Sequence, residues 1–311
     1  MTFIEKVVAA IEESERSGRM LVLDGPAGLA GERTAGLLQR CAALAAADGA
    51  CYVEVGVFRG YTLCSVAAAA PEMACFGIDN FVQFDPAGEN RRIVSEGLAR
   101  HARGNAVLID SDFEEALQSL PGRIGGRRIA VYFVDGPHDY RSQFLSLELA
   151  RPHFAPQAVI VIDDCNYEHV RRANADWLRC NPEFALLFEA YSAAHPDHLS
   201  GPQLVTARAG WWNGVNVLVR DPSRSLPRTH PPVDPSRQRY FNDHIVHAAR
   251  YAELAPELLD ALGSGSFGRL IRSVVGAWGR FAGRYPRANT YSDQLPSRRI
   301  VQPRSDPAVE P

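Results

Sequence analysis

Cys51-Tyr-Val-Glu-Val-Gly-Val-Phe-Arg-Gly-Tyr-Thr62 decides how the rest of the chain is read. An apolar, β-branched run carries one carboxylate near its end, Glu54, and then turns through Gly56 and Gly60 into the helix-like segment 63–70. A strand, a glycine turn and a helix start make a place where backbone N–H groups and the positive end of a helix meet an anionic group. Taken alone, the stretch also fits an ordinary strand-to-helix turn. What surrounds it separates the two readings.

Downstream, the apolar runs 51–55, 74–78, 106–109, 129–134 and 158–162 alternate with helix-like segments at 62–70, 89–102, 113–120 and 141–150. Continuous apolar strands alternating with helices predict an α/β fold, a doubly wound, mostly parallel sheet buried on both faces. Four of the five runs end in aspartate, at Asp79, Asp110, Asp135 and Asp163-Asp164, and the remaining one contains Glu54. Ligands of open α/β sheets bind beyond the carboxyl ends of the strands, so a row of acids there reads as a binding edge. Each acid singly also suits the cap of the next helix, the better account of Asp110.

Upstream, helical stripes at 3–16 and 33–46 predict an N-terminal helical cap over residues 1–48. After the fifth strand, a helix at 167–178 and strands at 184–191 and 214–219, joined by the long connection 195–210, complete a core spanning 49–221. Trp211-Trp212 heads the last strand, either as an aromatic lip on a site or, more commonly for such a pair, as core packing. Composition shifts at Asp221 toward Pro, Ser and Arg, which predicts a linker and helical extension over 222–286. Its helices are expected at 240–262 and 267–281. The second is basic and amphipathic, suited to docking on its own domain or on a second subunit of a homo-oligomer rather than on a membrane. Residues 287–311 are expected to be disordered.

A net charge of −3 gives nucleic acid no general attraction. Six cysteines without a Cys-x-x-Cys pair, most of them in apolar runs where a free buried thiol is expected, predict a reducing compartment. A polar amphipathic start and the lack of any membrane-length apolar run predict a cytoplasmic chain without a membrane span.

Two constellations carry chemistry. Glu54, Gly56 and Gly60 at the first strand, with Asp79 about 20 residues beyond, have the layout of a ribose-binding acid behind a glycine turn. Phe58 stands where a dinucleotide site needs a glycine, and no phosphate loop exists. A ribose acid without a pyrophosphate loop points to an adenosine ligand lacking phosphates, for which S-adenosylmethionine is the candidate, with its amino-acid end near Gly56 and its ribose on Asp79. The second constellation is Asp135 with Asp163 and Asp164. If the fourth and fifth strands are neighbours, the three carboxylates converge and require a shared proton or cation. Oxygen ligands favour a hard divalent ion such as Mg²⁺. Alternatively Asp163 alone is functional and Asp164 caps the following helix.

Tyr52-Val-Glu-Val-Gly-Val-Phe-Arg-Gly-Tyr-Thr62, Val134-Asp-Gly-Pro-His-Asp-Tyr140 and Val161-Ile-Asp-Asp164 together resemble class I S-adenosylmethionine-dependent methyltransferases of the family 24 type, related to catechol-type and antibiotic-sugar O-methyltransferases. The resemblance spans about residues 30–220 and implies a Rossmann-like methyltransferase sheet. It implies Glu54, Gly56, Gly60 and Thr62 at the methionine end of the cofactor, Asp79 on the ribose, and Ser111 and Asp112 by the adenine. It further implies Asp135, Asp163 and Asp164 as Mg²⁺ ligands, with Asp135 or His138 accepting the proton. His138 stands where the catechol-type relatives place a lysine, and a histidine near neutral pKa suits the same task. The implied function is O-methylation of a small secondary metabolite such as a sugar or phenol. A metal-independent N- or O-methyltransferase using His138, and a non-catalytic cofactor-binding protein, are the rival readings. Nicotinamide chemistry is disfavoured by Phe58, and a metal-dependent hydrolase leaves Glu54 and Asp79 unexplained.

Overall fold

The computed structural model describes residues 1–24, 28–47, 49–192, 195–196, 199–228, 230–231, scattered positions between 259 and 276, and 296–303. Helices α1 (Phe3–Ser17) and α2 (Glu32–Ala45) precede β1 (Ala50–Val55), α3 (Tyr61–Ala69), β2 (Ala74–Asp79), α4 (Asn90–His101) and β3 (Ala106–Asp110). Then come α5 (Phe113–Gln118), α6 (Leu120–Arg123), β4 (Arg128–Val134), α7 (Tyr140–Ala150), β5 (Phe154–Ile162) and α8 (Glu168–Cys180). The last elements are β6 (Phe184–Ala190), α9 (Pro202–Ala209), β7 (Val215–Arg220) and β8 (Arg298–Ile300).

The strands form one sheet in the order β3-β2-β1-β4-β5-β7-β6-β8. β1 to β5 are mutually parallel, β7 runs antiparallel to β5 and β6, and β8 runs antiparallel to β6. Each face is covered. Tyr52, Val131, Phe133 and Val161 pack with Ile11, Leu37 and Leu63 of α1, α2 and α3. Val53, Val55, Tyr132 and Ile160 pack with Leu117, Leu147 and Trp177 of α5, α7 and α8. Burial on both faces is why these strands read as unbroken apolar runs. At ~1.5–3 kcal/mol per fully buried large apolar side chain, the two clusters dominate the stability of the domain.

Register sets the site. Val55 lies opposite Val134, and Val134 opposite Ile162. The next residues continue this alignment: Asp135 N–H donates to Val55 O at 2.9 Å and Asp163 N–H to Val134 O at 3.0 Å. Gly56, Asp135 and Asp163 therefore stand side by side at the carboxyl edge.

Three expectations need correction. β5 begins at Phe154, four residues early, because the exposed Pro156 and Gln157 sit in a bulge where the β4 register shifts between Ile129 and Val131. A proline without an N–H is tolerated there. The connection 195–210 contains α9, opened by Pro202 at its first turn after Gly201. Within the tail expected to be disordered, Arg298–Ile300 forms an edge strand on β6. Arg298 makes a two-pronged contact with Glu15 of α1, Arg299 pairs with Glu189 at 2.5 Å, and Val301 is buried. These partners are distant in sequence, so a three-residue strand leaves no local pattern.

The start of the expected linker is anchored as well. The buried Asp221 carboxylate accepts the N–H groups of Ser225 and Leu226 and pairs with Arg228. The helices expected at 240–262 and 267–281 lie outside the described residues, apart from scattered helical positions such as Leu262, Ile271 and Val275, whose side chains are exposed. No helix among the described residues is long and apolar enough to cross a membrane.

Candidate active site

Gly56 has φ +89°, and its N–H donates to Ile78 O at 2.9 Å. A Cβ on it would lie 1.9 Å from the carbonyl oxygen of Asp135, so this glycine lets the β1 and β4 ends close on each other. The next two N–H groups, of Val57 and Phe58, both donate to Asp79 Oδ2 at 2.8 Å, and Phe81 N–H donates to Oδ1 at 2.7 Å. The backbone donors that suggested an anion cradle are thus turned onto the carboxylate at the end of β2. Gly60, in the left-handed region, caps α3 and does not border the cavity.

Glu54 is also behind the wall. It is fully buried, accepting from the Tyr52 hydroxyl at 2.5 Å and from the Thr62 hydroxyl at 3.3 Å. Thr62 is the member of this group that borders the cavity. Burial pushes the Glu54 carboxyl up to about 8, against the pull of its two hydroxyl donors. An acid whose folded pKa is raised binds more protons folded than unfolded between about 4.5 and 8. Its stabilising contribution is complete below 4.5 and lost as pH rises through 8. Denaturant melts at pH 5 and pH 8 are expected to differ by up to on the order of 4 kcal/mol from this group. Glu54→Gln is expected to shrink that difference, and an unchanged pH dependence in the variant would refute the assignment.

A cavity of about 360 Å³ opens at the carboxyl edge. Gly56, Asp79, Ser111 and Asp112 border it, as do Asp135, His138, Asp163, Asp164, Tyr167, His195 and Trp212. Leu29 and Tyr61 border it too, the former from the α1–α2 connection. Asp112 caps α5, accepting Glu114 N–H at 2.9 Å. The paired tryptophans divide: Trp211 packs on Phe188 in the core with ring centroids 5.1 Å apart, while Trp212 faces the cavity with the Arg208 guanidinium 4.9 Å from its ring centre.

The acids are not equivalent. Asp164, at φ +56°, faces His138, whose Nε2 lies 2.7 Å from Asp164 Oδ2, and takes Asn213 Nδ2 on Oδ1 at 2.5 Å. Burial works against its ionisation, but the His138 charge and the two hydrogen bonds outweigh it and hold the carboxyl well below its usual range. Burial raises Asp163, with the Asp164 charge adding to the effect. Asp135 is raised by burial and by the neighbouring Asp163 and Asp164 charges. Asp163 Oδ1 accepts the Asp164 N–H at 3.0 Å. Among the described residues, the donors that gather within 4.8 Å of one another are Asp135, His138 and Asp164, without Asp163. Tyr167, His195 and Asn213 were not anticipated as site residues. Only Asn213, beside the tryptophan pair at the head of a strand, carried a local signal.

A five-stranded parallel sheet extended by a reversed strand, with a cavity over its acid-bearing carboxyl edge, defines a class I methyltransferase-type domain. Residues 53–165 match the Methyltransf_24 family, described as a methyltransferase domain. Over that span the chain is similar to S-adenosylmethionine-dependent methyltransferases. No curated protein matches the sequence. Among solved structures, the chain is similar to an O-methyltransferase from Bacillus cereus in complex with SAH, at 13% identity and TM-score 0.46, over 70% of this chain and 90% of that one. It is similar to SAH-bound PaMTH1 of Podospora anserina at 13% identity and TM-score 0.40, over 70% and 87% of the two chains. For CalS11, a calicheamicin methyltransferase, the values are 15% and 0.40, over 58% and 86%.

Proposed function

We propose that the protein transfers a methyl group from S-adenosylmethionine to a hydroxyl of a small molecule, with His138 accepting the hydroxyl proton. The observation that carries this reading is the His138–Asp164 pair at 2.7 Å, set in one cavity with Asp79, Ser111 and Asp112. The cavity volume is that of a small-molecule site, and its donor set suits an adenosine. Asp79 Oδ1 accepts one backbone N–H and retains lone-pair capacity for a ribose hydroxyl. Ser111 and Asp112 supply polar groups for an adenine. When bound, the cofactor supplies a methyl already activated on a sulfonium.

The chain's remaining tasks are alignment and deprotonation. His138 is held by Asp164 through Nε2, and its imidazole serves as the general base toward the acceptor hydroxyl. The anionic Asp164 steadies the imidazolium that results. Trp212 offers a flat apolar wall for an acceptor such as a phenol or a sugar.

A second reading rests on the gathering of Asp135, His138 and Asp164. Two carboxylates and an imidazole fit a divalent ion, Mg²⁺ or a softer one that accepts nitrogen. Those three side chains would hold it, and the chemistry it supplies is a lowered pKa at the acceptor hydroxyl.

Calorimetric titration with S-adenosylhomocysteine tests the cofactor half. Binding is expected in the parent and is expected to weaken by about tenfold or more in Asp79→Ala, where a charged hydrogen-bond acceptor is lost. Methyl transfer to a panel of phenols and sugars, with EDTA or added Mg²⁺, separates the two catalytic readings. Activity indifferent to EDTA favours His138 acting alone. No binding of S-adenosylhomocysteine would sink the assignment.

A further inference from the structure

Asn213, at the head of β7, is fully buried and its side-chain amide is engaged at both ends. Its Oδ1 accepts from Asn166 Nδ2 at 2.9 Å, while its Nδ2 donates to Asp164 Oδ1 at 2.5 Å. The orientation of the amide follows, because a flip would set donor against donor at Asn166 and acceptor against acceptor at Asp164. Asn166 is clamped in turn. Its Nδ2 donates to Ser192 Oγ at 2.6 Å, its Oδ1 accepts Ser192 N–H at 3.1 Å, and its own N–H donates to Asn213 O at 2.9 Å. Gly214 presses the head of β7 onto this turn, since a Cβ there would lie 2.6 Å from Asn166 Oδ1.

On the other side of the carboxylate, Asp164 Oδ2 meets His138 Nε2 at 2.7 Å. Asp164 itself sits in the left-handed region, a conformation that persists only where neighbours over-determine it. A carboxylate held at one oxygen cannot swing about its terminal bond, so the direction of the second oxygen is set by what grips the first.

We propose that Asn213 is a positioning residue: by gripping Asp164 Oδ1 it aims Oδ2 at His138 and orients the imidazole for proton transfer. The proposal rests on the reading of His138 as the base. The line of support runs from the sheet through Asn166 and Asn213 to Asp164, and from there to the ring. It places the reversed strand, outside the span that matches the family, in control of a group within that span.

The test uses the full chain with two variants. Asn213→Asp keeps the size and the acceptor toward Asn166 and, when ionised, has no donor for Asp164. Asn213→Ser is too short to reach Asp164. The first readout is the Nε2–H resonance of His138 in ring-¹⁵N-histidine spectra, assigned by its loss in His138→Gln. The second is the split between kcat and the KM for S-adenosylmethionine. In both Asn213 variants the resonance is expected to shift or broaden. The value of kcat is expected to fall by about 10–100-fold, the usual effect of losing such a supporting partner, while KM stays within about twofold.

If Asn213→Ser fails to fold, the near-isosteric Asn213→Asp carries the test. An unmoved His138 resonance in a folded variant overturns the proposal, whatever His138 does. Full activity of His138→Gln would instead remove the histidine as base, and a moved resonance in the Asn213 variants would still establish that Asn213 orients the ring.

Discussion

His138→Gln is expected to lower kcat for methyl transfer by about 10²–10⁴-fold, the range that a positioned general base supplies. Glutamine retains an N–H donor for Asp164 but has no group of suitable basicity, so the fold and the cavity wall are kept while the proton acceptor is lost. With His138 proposed as the base toward the acceptor, binding of S-adenosylhomocysteine is expected to stay within about threefold of the parent. The pair of measurements is decisive. A fall in cofactor affinity as large as the fall in kcat would mean that His138 shapes the cofactor site. An unchanged kcat would mean that the hydroxyl proton leaves by another route, of which Asp135 is the nearest candidate because burial and its acidic neighbours raise its carboxyl.

The second large effect is on stability. Gly56→Ala is expected to destabilise the domain by about 3–5 kcal/mol, summing left-handed backbone strain and overpacking. The new Cβ meets the Asp135 carbonyl oxygen at 1.9 Å, an atom of backbone in the neighbouring strand's turn, and no side-chain rotation relieves it. In a domain of this size that corresponds to a fall in Tm of about 10 °C. Gly104→Ala is the control. It shares the positive φ, at +80°, but has nothing within 4 Å of its Cβ, so only the strain of about 1–2 kcal/mol remains. Thermal melts of the two variants side by side separate crowding from strain. Equal losses would mean that Gly56 is required only for its backbone angle.

Gly56 and Asp79 show how one sequence signal can carry a structural meaning beside a functional one. A glycine turn and an acid about twenty residues on read as two ligand contacts. In the folded chain they are first contacts with each other's surroundings: the turn closes on β4, and Asp79 takes the N–H groups of Val57, Phe58 and Phe81. Glu54 and Gly60 stand one layer behind the cavity for the same reason, since the pleat and the helix cap turn them away from it. The β8 strand was missed differently. Its three residues are held by Glu15, Glu189 and the β6 backbone, none of them local. The antiparallel register returns the chain at Arg298 beside Ala190, at the same carboxyl edge as the cavity.

The sequence by itself determined the sheet and the edge on which the chemistry sits. Unbroken apolar runs spaced by amphipathic helices admit little other than a parallel sheet covered on both faces, and acids ending those runs must lie at its carboxyl edge. That information is local, repeated along the chain and therefore legible. Only the tertiary structure decided which of those acids lie near one another. The register of Val55, Val134 and Ile162 aligns three strand ends, and the left-handed turn at Asp164 folds the Asp163 carboxylate onto backbone. Asp164 is left facing His138 on one oxygen and Asn213, 49 residues away in sequence, on the other. Hydrogen bonds between residues so distant in the chain have no periodicity and no neighbouring motif, because the groups meet only after the sheet has formed.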